Sequence, residues 1–246
     1  MTMGGFHLLS GLVISSFIRN KKYKKAKWGI IWGSIFPDID LIASIVIFLI
    51  TGDLNSAGFV HRSWTHGFFA IGLIIMIGFI LSLIREDKHI MLFFLMFAVG
   101  MVTHITYDLL DGYVALLAPF SFIRYSIIGI DFQTSIEDTY IKVWNAFDGM
   151  SDALFFYLPL WYWANHKANN TSEINFAKKL LILSVISIAY YGFLLGLAFT
   201  DISVEMHLIL VYGYMGIINC SLSIIIVQIK MKETIQDFSF LKLKNS

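Results

Sequence analysis

Residues 68–84 read FFAIGLIIMIGFILSLI, a run without a single charged side chain. A helix needs about 20 mainly apolar residues to cross the hydrocarbon core of a bilayer. Because this run approaches that length and contains no charged side chain, it predicts a transmembrane helix. The chain is therefore expected to be an integral membrane protein.

The composition outside this run points the same way. Hydrophobic residues make up 57% and charged residues 14% of the 246-residue chain, and the mean hydropathy is +0.73. An ordinary soluble domain has about 25% charged residues. Further apolar stretches lie at 6–18, 28–50, 90–107, 153–165, 180–200 and 206–229. We predict an all-α, polytopic integral membrane helical bundle of about six or seven transmembrane helices, built as a single membrane domain over residues 1–246.

The segments between the apolar stretches indicate how the chain crosses the membrane. Lysine-rich segments are expected to face the cytoplasm, and they lie at 19–27, 167–179 and 230–244. Residues 112–123, broken by Pro119, are predicted to be re-entrant or interfacial, and 124–152 to form a polar outer loop or cap. Positive charges follow residues 6–18 instead of preceding them, so we interpret that run as a retained segment that spans or lies on the membrane.

Charge and cysteine content exclude some classes of protein. The net charge of +1 gives no electrostatic support for binding nucleic acid. The single cysteine, Cys220, excludes an internal disulfide and a zinc site built mainly of thiolates. Membrane lipid is the expected partner.

Histidines and aspartates interrupt the apolar stretches at similar depths. A helix rise of 1.5 Å per residue brings these residues to the outer half of the membrane from separate helices. They are His7, Asp38, Asp40, His61, His66, His104 and Asp108. His104 and Asp108 lie four residues apart on one helix face, and Pro37 is expected to break the helix beside Asp38. Ionisable residues inside spans are costly, so their convergence predicts a functional site.

Imidazole and carboxylate together are ligands for zinc, and they also suit manganese or iron. A bound cation would compensate the cost of burying several carboxylates. Arg62 is predicted to hold a phosphate or carboxylate of a substrate, and Asp38 or Asp108 to act as general base. Taken singly, His7 and His61 could instead be hydrogen-bonded helix-end residues, and Asp38 or Asp40 could be a helix cap.

Two G-x-x-x-G steps are typical of close helix packing in lipid. One comprises Gly29 and Gly33, and the other Gly192 and Gly196. Both are predicted to lie at helix–helix contacts.

Four sequence elements occur in a fixed order. His7 is followed by Pro37-Asp38-Ile39-Asp40, then by His61-Arg62-Ser63-Trp64-Thr65-His66, and then by His104-Ile105-Thr106-Tyr107-Asp108. This order resembles the YdjM-like family of LexA-regulated, membrane-bound metal-dependent hydrolases, whose pattern is an N-terminal His, P-D-x-D, H-R-x-x-T-H and H-x-x-x-D. The resemblance covers residues 7–108. Ser63 and Gly67 depart from residues common in the family, but neither departure removes a ligand.

The YdjM-like family is similar to the zinc-dependent phospholipase C group, in which helices carry a metal cluster. The resemblance implies the metal ligands His7, Asp40, His66, His104 and Asp108. It implies that Asp38 and His61 are ligands or orient the ligands. One or two divalent ions, zinc first, are expected.

The resemblance implies a membrane-bound hydrolase in which metal-activated water attacks an ester or phosphoester of a lipid-like substrate. The alternative is a non-enzymatic metal-binding membrane protein, either a divalent-metal transporter or a sensor. Placement of all the ligands in one half of the membrane favours the enzyme, because a transporter needs ligands on a path open to both faces.

Overall fold

The computed structural model describes residues 4–18, 24–53, 56, 59–128, 137–214 and 216–231. In chain order the helices are α1 (Gly4–Ser16), α2 (Lys24–Gly33), α3 (Asp40–Thr51), α4 (Phe68–Arg85), α5 (Lys88–Asp111), α6 (Asp138–Asp152), α7 (Leu158–Lys167), α8 (Thr171–Leu197), α9 (Val204–Gly213) and α10 (Gly216–Lys230). Among these residues no strand occurs, only an isolated bridge between Val114 and Tyr125. The predicted all-α fold is confirmed.

The chain divides into two compact units. One is Ser10–Phe132, and the other combines Met1–Leu9 with Gln133–Ser246. The sequence indicates one membrane domain, and we describe the two units separately. Six of the seven predicted metal-site residues belong to the first unit, and His7 belongs to the second.

Three helices are long and apolar enough to cross a membrane: α4, α5 as far as Leu110, and α8. The bent pair Ala26–Gly33 and Phe36–Thr51 makes a fourth candidate. The predicted number of six or seven spans is not confirmed. Helix α1 has only 13 residues, and the run 206–229 is divided between α9 and α10 around residue 215, which lies outside the described part. The lysine-rich residues 19–23 and 232–244 also lie outside it, so sidedness stays a prediction.

The predicted break at Pro37 is present. A short 3-10 helix, Phe36–Ile39, connects α2 to α3, and the two apolar arms meet at 54°. Proline has no backbone N–H and a fixed φ, so it starts a new helical segment more readily than it continues an old one. The break buries the side chains of Asp38 and Asp40 instead of exposing them to lipid.

Small residues bring α2 and α5 into backbone contact. A Cβ added at Gly29 would overlap the Phe93 carbonyl oxygen, and one added at Gly33 would overlap that of Phe97. This confirms the packing role predicted for the first G-x-x-x-G step. The second step does not act in this way among the described residues, because nothing lies within 4 Å of a Cβ built on Gly196.

The segment predicted as a polar outer loop or cap, 124–152, differs from expectation. From Asp138 it forms α6, whose polar residues are largely buried, and residues 129–136 lie outside the described part. Buried Lys142 donates through Nζ to the carbonyl oxygens of Thr200 and Ile202. The polar side chains therefore form hydrogen bonds inside the unit and do not indicate exposure to water.

Residues 112–128 form an irregular loop, which we call the 112–128 loop. Val114 and Tyr125 exchange two backbone hydrogen bonds of 2.9 Å. The Phe68 N–H donates to the Leu116 carbonyl, also at 2.9 Å, which attaches the loop to the start of α4. The absence of helix here agrees with the prediction drawn from Pro119.

Candidate metal centre

Three parts of the Ser10–Phe132 unit each bring acidic or imidazole groups to one place. Helix α5 carries His104 and Asp108 on one face because they are four residues apart. The break between α2 and α3 supplies Asp38, and the turn before α4 supplies His66. We call Asp38, His66, His104 and Asp108 the quartet.

The quartet is compact and fully enclosed. One ligand atom from each member lies within 4.8 Å of all the others, and all four residues are buried. His104 Nε2 lies 3.2 Å from Asp38 Oδ1 and 3.2 Å from Asp108 Oδ2. His66 Nε2 lies 3.0 Å from Asp108 Oδ2 and 3.2 Å from His104 Nε2. Carboxylate and imidazole atoms thus converge from three separate chain segments.

Hydrogen bonds orient both imidazoles. His104 Nδ1 lies 2.8 Å from the Ser34 carbonyl oxygen, which can only accept, so Nδ1 carries the hydrogen. His66 Nδ1 lies 3.2 Å from Asp40 Oδ2. In each ring the other nitrogen, Nε2, faces the quartet, which is the arrangement seen in metal-ligating histidines with a supporting acceptor.

Asp40 lies next to the quartet and contacts His61, Thr65 and His66. Its Oδ1 accepts from His61 Nδ1 at 2.8 Å, and the Thr65 hydroxyl lies 2.8 Å from its Oδ2. Asp40, His61 and His66 form a second group able to hold an ion. This group shares His66 with the quartet, so the two groups are not independent.

Arg62 is turned inward. Its Nη2 lies 3.2 Å from Asp108 Oδ1, and the side chain is buried. The residue has a φ of 62°, a left-handed conformation that is uncommon outside glycine. A Cβ at Gly112 would overlap the Arg62 guanidinium, so glycine leaves room for this ion pair.

The charges of the centre favour an added cation. Burial alone would lower the pKa of His66, but hydrogen bonds with the surrounding aspartates hold it well above its ordinary value. The centre holds three buried carboxylates, at Asp38, Asp40 and Asp108, and the Arg62 guanidinium pairs with Asp108. A proton on imidazole or a divalent metal would each reduce this excess of negative charge.

The donor set fits a divalent metal. Two carboxylates and two imidazoles with oriented Nε2 atoms match the ligand preferences of zinc, and of manganese or iron. Asp38 belongs to the quartet and Asp40 to the second group, with His61 and His66. The ligand role that the family resemblance implies for Asp40, and leaves open for Asp38, therefore stays a prediction. His7 is buried in the other unit, and its ligand role stays a prediction.

Sequence reasoning missed two supporting groups. Thr65 could have been recognised from the sequence, because it is part of the H-R-x-x-T-H element. Its hydroxyl contacts Asp40. Ser34 acts through its backbone carbonyl, which no side-chain pattern reveals.

Apolar spans around an enclosed His/Asp centre define an integral membrane protein with a candidate metal site. The chain belongs to the YdjM inner membrane protein family, whose model matches residues 1–198. This confirms both the predicted resemblance and the membrane location. No curated protein and no solved structure matches the chain.

Proposed function

We propose that this protein is a zinc-dependent membrane hydrolase that cleaves a phosphoester of a lipid-like substrate. The quartet carries the proposal, because its buried carboxylates and oriented imidazoles form a ligand set with the chemistry of a hydrolytic metal site. A divalent metal in such a set supplies Lewis acidity and makes water nucleophilic near neutral pH.

Residues of the chain would bind the substrate phosphate and accept a proton from the attacking water. Arg62 pairs through Nη2 with Asp108 at 3.2 Å, and a guanidinium beside the quartet has the charge and the planar shape to bind a phosphate of the substrate. Asp38 or Asp108, whose carboxylates both lie beside His66 and His104, would act as the general base that accepts a proton from water.

Elemental analysis of the full-length protein, purified in detergent, tests the metal site. We expect stoichiometric zinc in the wild type and its loss in His104→Ala. His89→Ala is the matched control, because His89 is exposed and should leave the zinc content unchanged. Equal zinc in all three proteins would contradict the proposal.

Phosphoester cleavage is tested separately in vesicles that contain radiolabelled phospholipid. Water-soluble product should appear with the wild type, disappear on chelation, and be absent for Asp38→Asn. If metal-loaded protein moves zinc across the vesicle membrane without releasing product, the protein is a transporter and the hydrolase proposal is wrong.

A further inference from the structure

The segment 59–69, which ends in the first turn of α4, and the 112–128 loop carry a group of exposed aromatic side chains. We call this group the aromatic rim, and its members are Phe59, Trp64, Phe68, Phe69, Phe120 and Phe122. The ring centroid of Phe122 lies 5.2 Å from that of Phe59 and 5.9 Å from that of Trp64, and the centroids of Phe69 and Phe120 lie 5.5 Å apart. Phe120 is nevertheless 82% exposed, so the rim forms an apolar surface and not a core.

The backbone beneath the rim limits where it can lie in a bilayer. Apart from short turns, residues 112–128 have no regular structure. Irregular backbone that faces lipid is not found within the hydrocarbon region, where unpaired N–H and C=O groups have no partner. A contiguous apolar surface in bulk water is also unfavourable. At the membrane–water interface the backbone groups can bind water while the aromatic rings contact lipid, and aromatic residues are enriched there. We therefore expect the rim to lie at that interface.

The rim and the quartet share one end of the helix pair α4–α5. The pair turns at Glu86 and Asp87, so the start of α4 and the end of α5 lie together at the opposite end. At 1.5 Å per residue, Asp108 lies about 30 Å along α5 from its start. Trp64 is 52% exposed while Arg62 and His66, two residues to either side, are buried at the centre. One short segment therefore connects the exposed rim to the quartet.

A cation lies within this apolar surface. Arg124 is exposed, its guanidinium carbon is 5.9 Å from the Phe59 ring centroid, and its Nη2 donates to the Phe59 carbonyl at 3.4 Å. A guanidinium beside aromatic rings at an interface is suited to a phosphate whose attached chains are apolar. An anionic phospholipid has both features.

We propose that the aromatic rim and Arg124 form a docking surface for an anionic phospholipid, with the headgroup phosphate at Arg124 and the acyl chains against the rings. The inference extends the proposed function, because it would bring lipid to the mouth of the buried centre. Docking itself needs no metal and no hydrolysis.

Quenching of Trp64 fluorescence tests the docking surface in full-length protein in mixed micelles. The Trp64 signal is the difference between wild type and Trp64→Phe. We expect brominated phosphatidylglycerol to quench it at lower concentration than brominated phosphatidylcholine. Arg124→Gln removes one charge-assisted contact, so the concentration of brominated phosphatidylglycerol needed for the same quenching should rise about tenfold. Arg85→Gln is the control, since Arg85 is exposed at the other end of α4.

Equal quenching by the two lipids, or unchanged quenching in Arg124→Gln, would overturn the proposal. Competition by inorganic phosphate as strong as that by the lipid would show a simple anion site and would also overturn it. Zinc content, measured in parallel, keeps the two proposals apart: wild-type zinc in Arg124→Gln without lipid selectivity would reject the docking surface and leave the metal centre intact.

Discussion

At the scale of single residues, the carboxylates of Asp38 and Asp40 have different neighbours although one residue separates them. Asp38 Oδ1 approaches His104 Nε2 at 3.2 Å, whereas Asp40 contacts His61, Thr65 and the far nitrogen of His66. We therefore expect Asp38 to hold a metal and Asp40 to orient a ligand.

This difference predicts two distinct phenotypes. Asp38→Asn should lose stoichiometric zinc. Asp40→Asn should still bind zinc, with affinity reduced about 10- to 100-fold, as is common for residues that orient metal-ligating histidines. Chelator competition on the purified variants measures both effects. The assignment of roles is wrong if the two variants have the same affinity.

The ion pair between Arg62 and Asp108 predicts a stability effect in the metal-free protein. Removing one partner of a buried pair leaves an uncompensated charge and costs about 3–5 kcal/mol. Arg62→Met should therefore lower the thermal midpoint in the presence of chelator, and the double change with Asp108→Asn should recover part of the loss. Arg85→Met, at an exposed position, should change the midpoint little. A similar small change for Arg62→Met would contradict the argument.

Much of the residue-level site follows from the sequence. Depths calculated from the helix rise predict that Asp38, His104 and Asp108 meet, and the i,i+4 spacing predicts that His104 and Asp108 share one helix face. The sequence does not show which of Asp38 and Asp40 reaches His104. Moving the helix break by one residue along the chain would change the direction of both side chains. Only the 3-10 turn at Phe36–Ile39 fixes which carboxylate reaches His104.

At the scale of helices, α2 and α5 approach closely because glycine leaves space on α2. Gly33→Ala should cost about 1–3 kcal/mol, since the added methyl group would overlap the Phe97 carbonyl oxygen. Gly196→Ala is a matched control in the other G-x-x-x-G step, where open space should keep the change within about 0.5 kcal/mol. Thermal unfolding in detergent compares the two. Equal losses would contradict the argument that the Phe97 carbonyl oxygen leaves no room for a methyl group at position 33.

Hydropathy predicts the apolar helices well and the polar ones poorly. Helix α4 ends one residue from the predicted run, because an uncharged segment of that length has few alternatives in lipid. Helix α6 was missed, since its charged residues resemble those of an exposed loop. The bonds from Lys142 to the carbonyls of Thr200 and Ile202 allow burial of a lysine, and such tertiary partners are not visible in one sequence.

At the scale of the whole molecule, metal binding should be coupled to stability. A ligand that binds only the folded state adds about 2.7 kcal/mol at 100 times its Kd. Zinc should therefore raise the thermal midpoint of wild-type protein and leave that of Asp38→Asn unchanged. Equal shifts in both proteins would indicate zinc bound elsewhere.

The molecule as a whole was less predictable than its parts. Six or seven spans were expected from apolar stretches, but α1 is short and the last stretch is split into α9 and α10. Local turns within an apolar run leave no mark on hydropathy. His7 is grouped with the other candidates by depth and by the family pattern, and because it belongs to the other compact unit, its role as a ligand stays a prediction.

His66 faces acidic groups with both ring nitrogens, and this limits how many ions the quartet and the second group can hold together. A neutral imidazole has only one lone pair to offer, so a ring that coordinates through Nε2 must keep the hydrogen on Nδ1. Occupation of the quartet would then close the place beside Asp40 and His61 to a second ion. Calorimetric titration with zinc should saturate at one equivalent per chain, and a second tight equivalent would mean that the ring is shared as an imidazolate bridge.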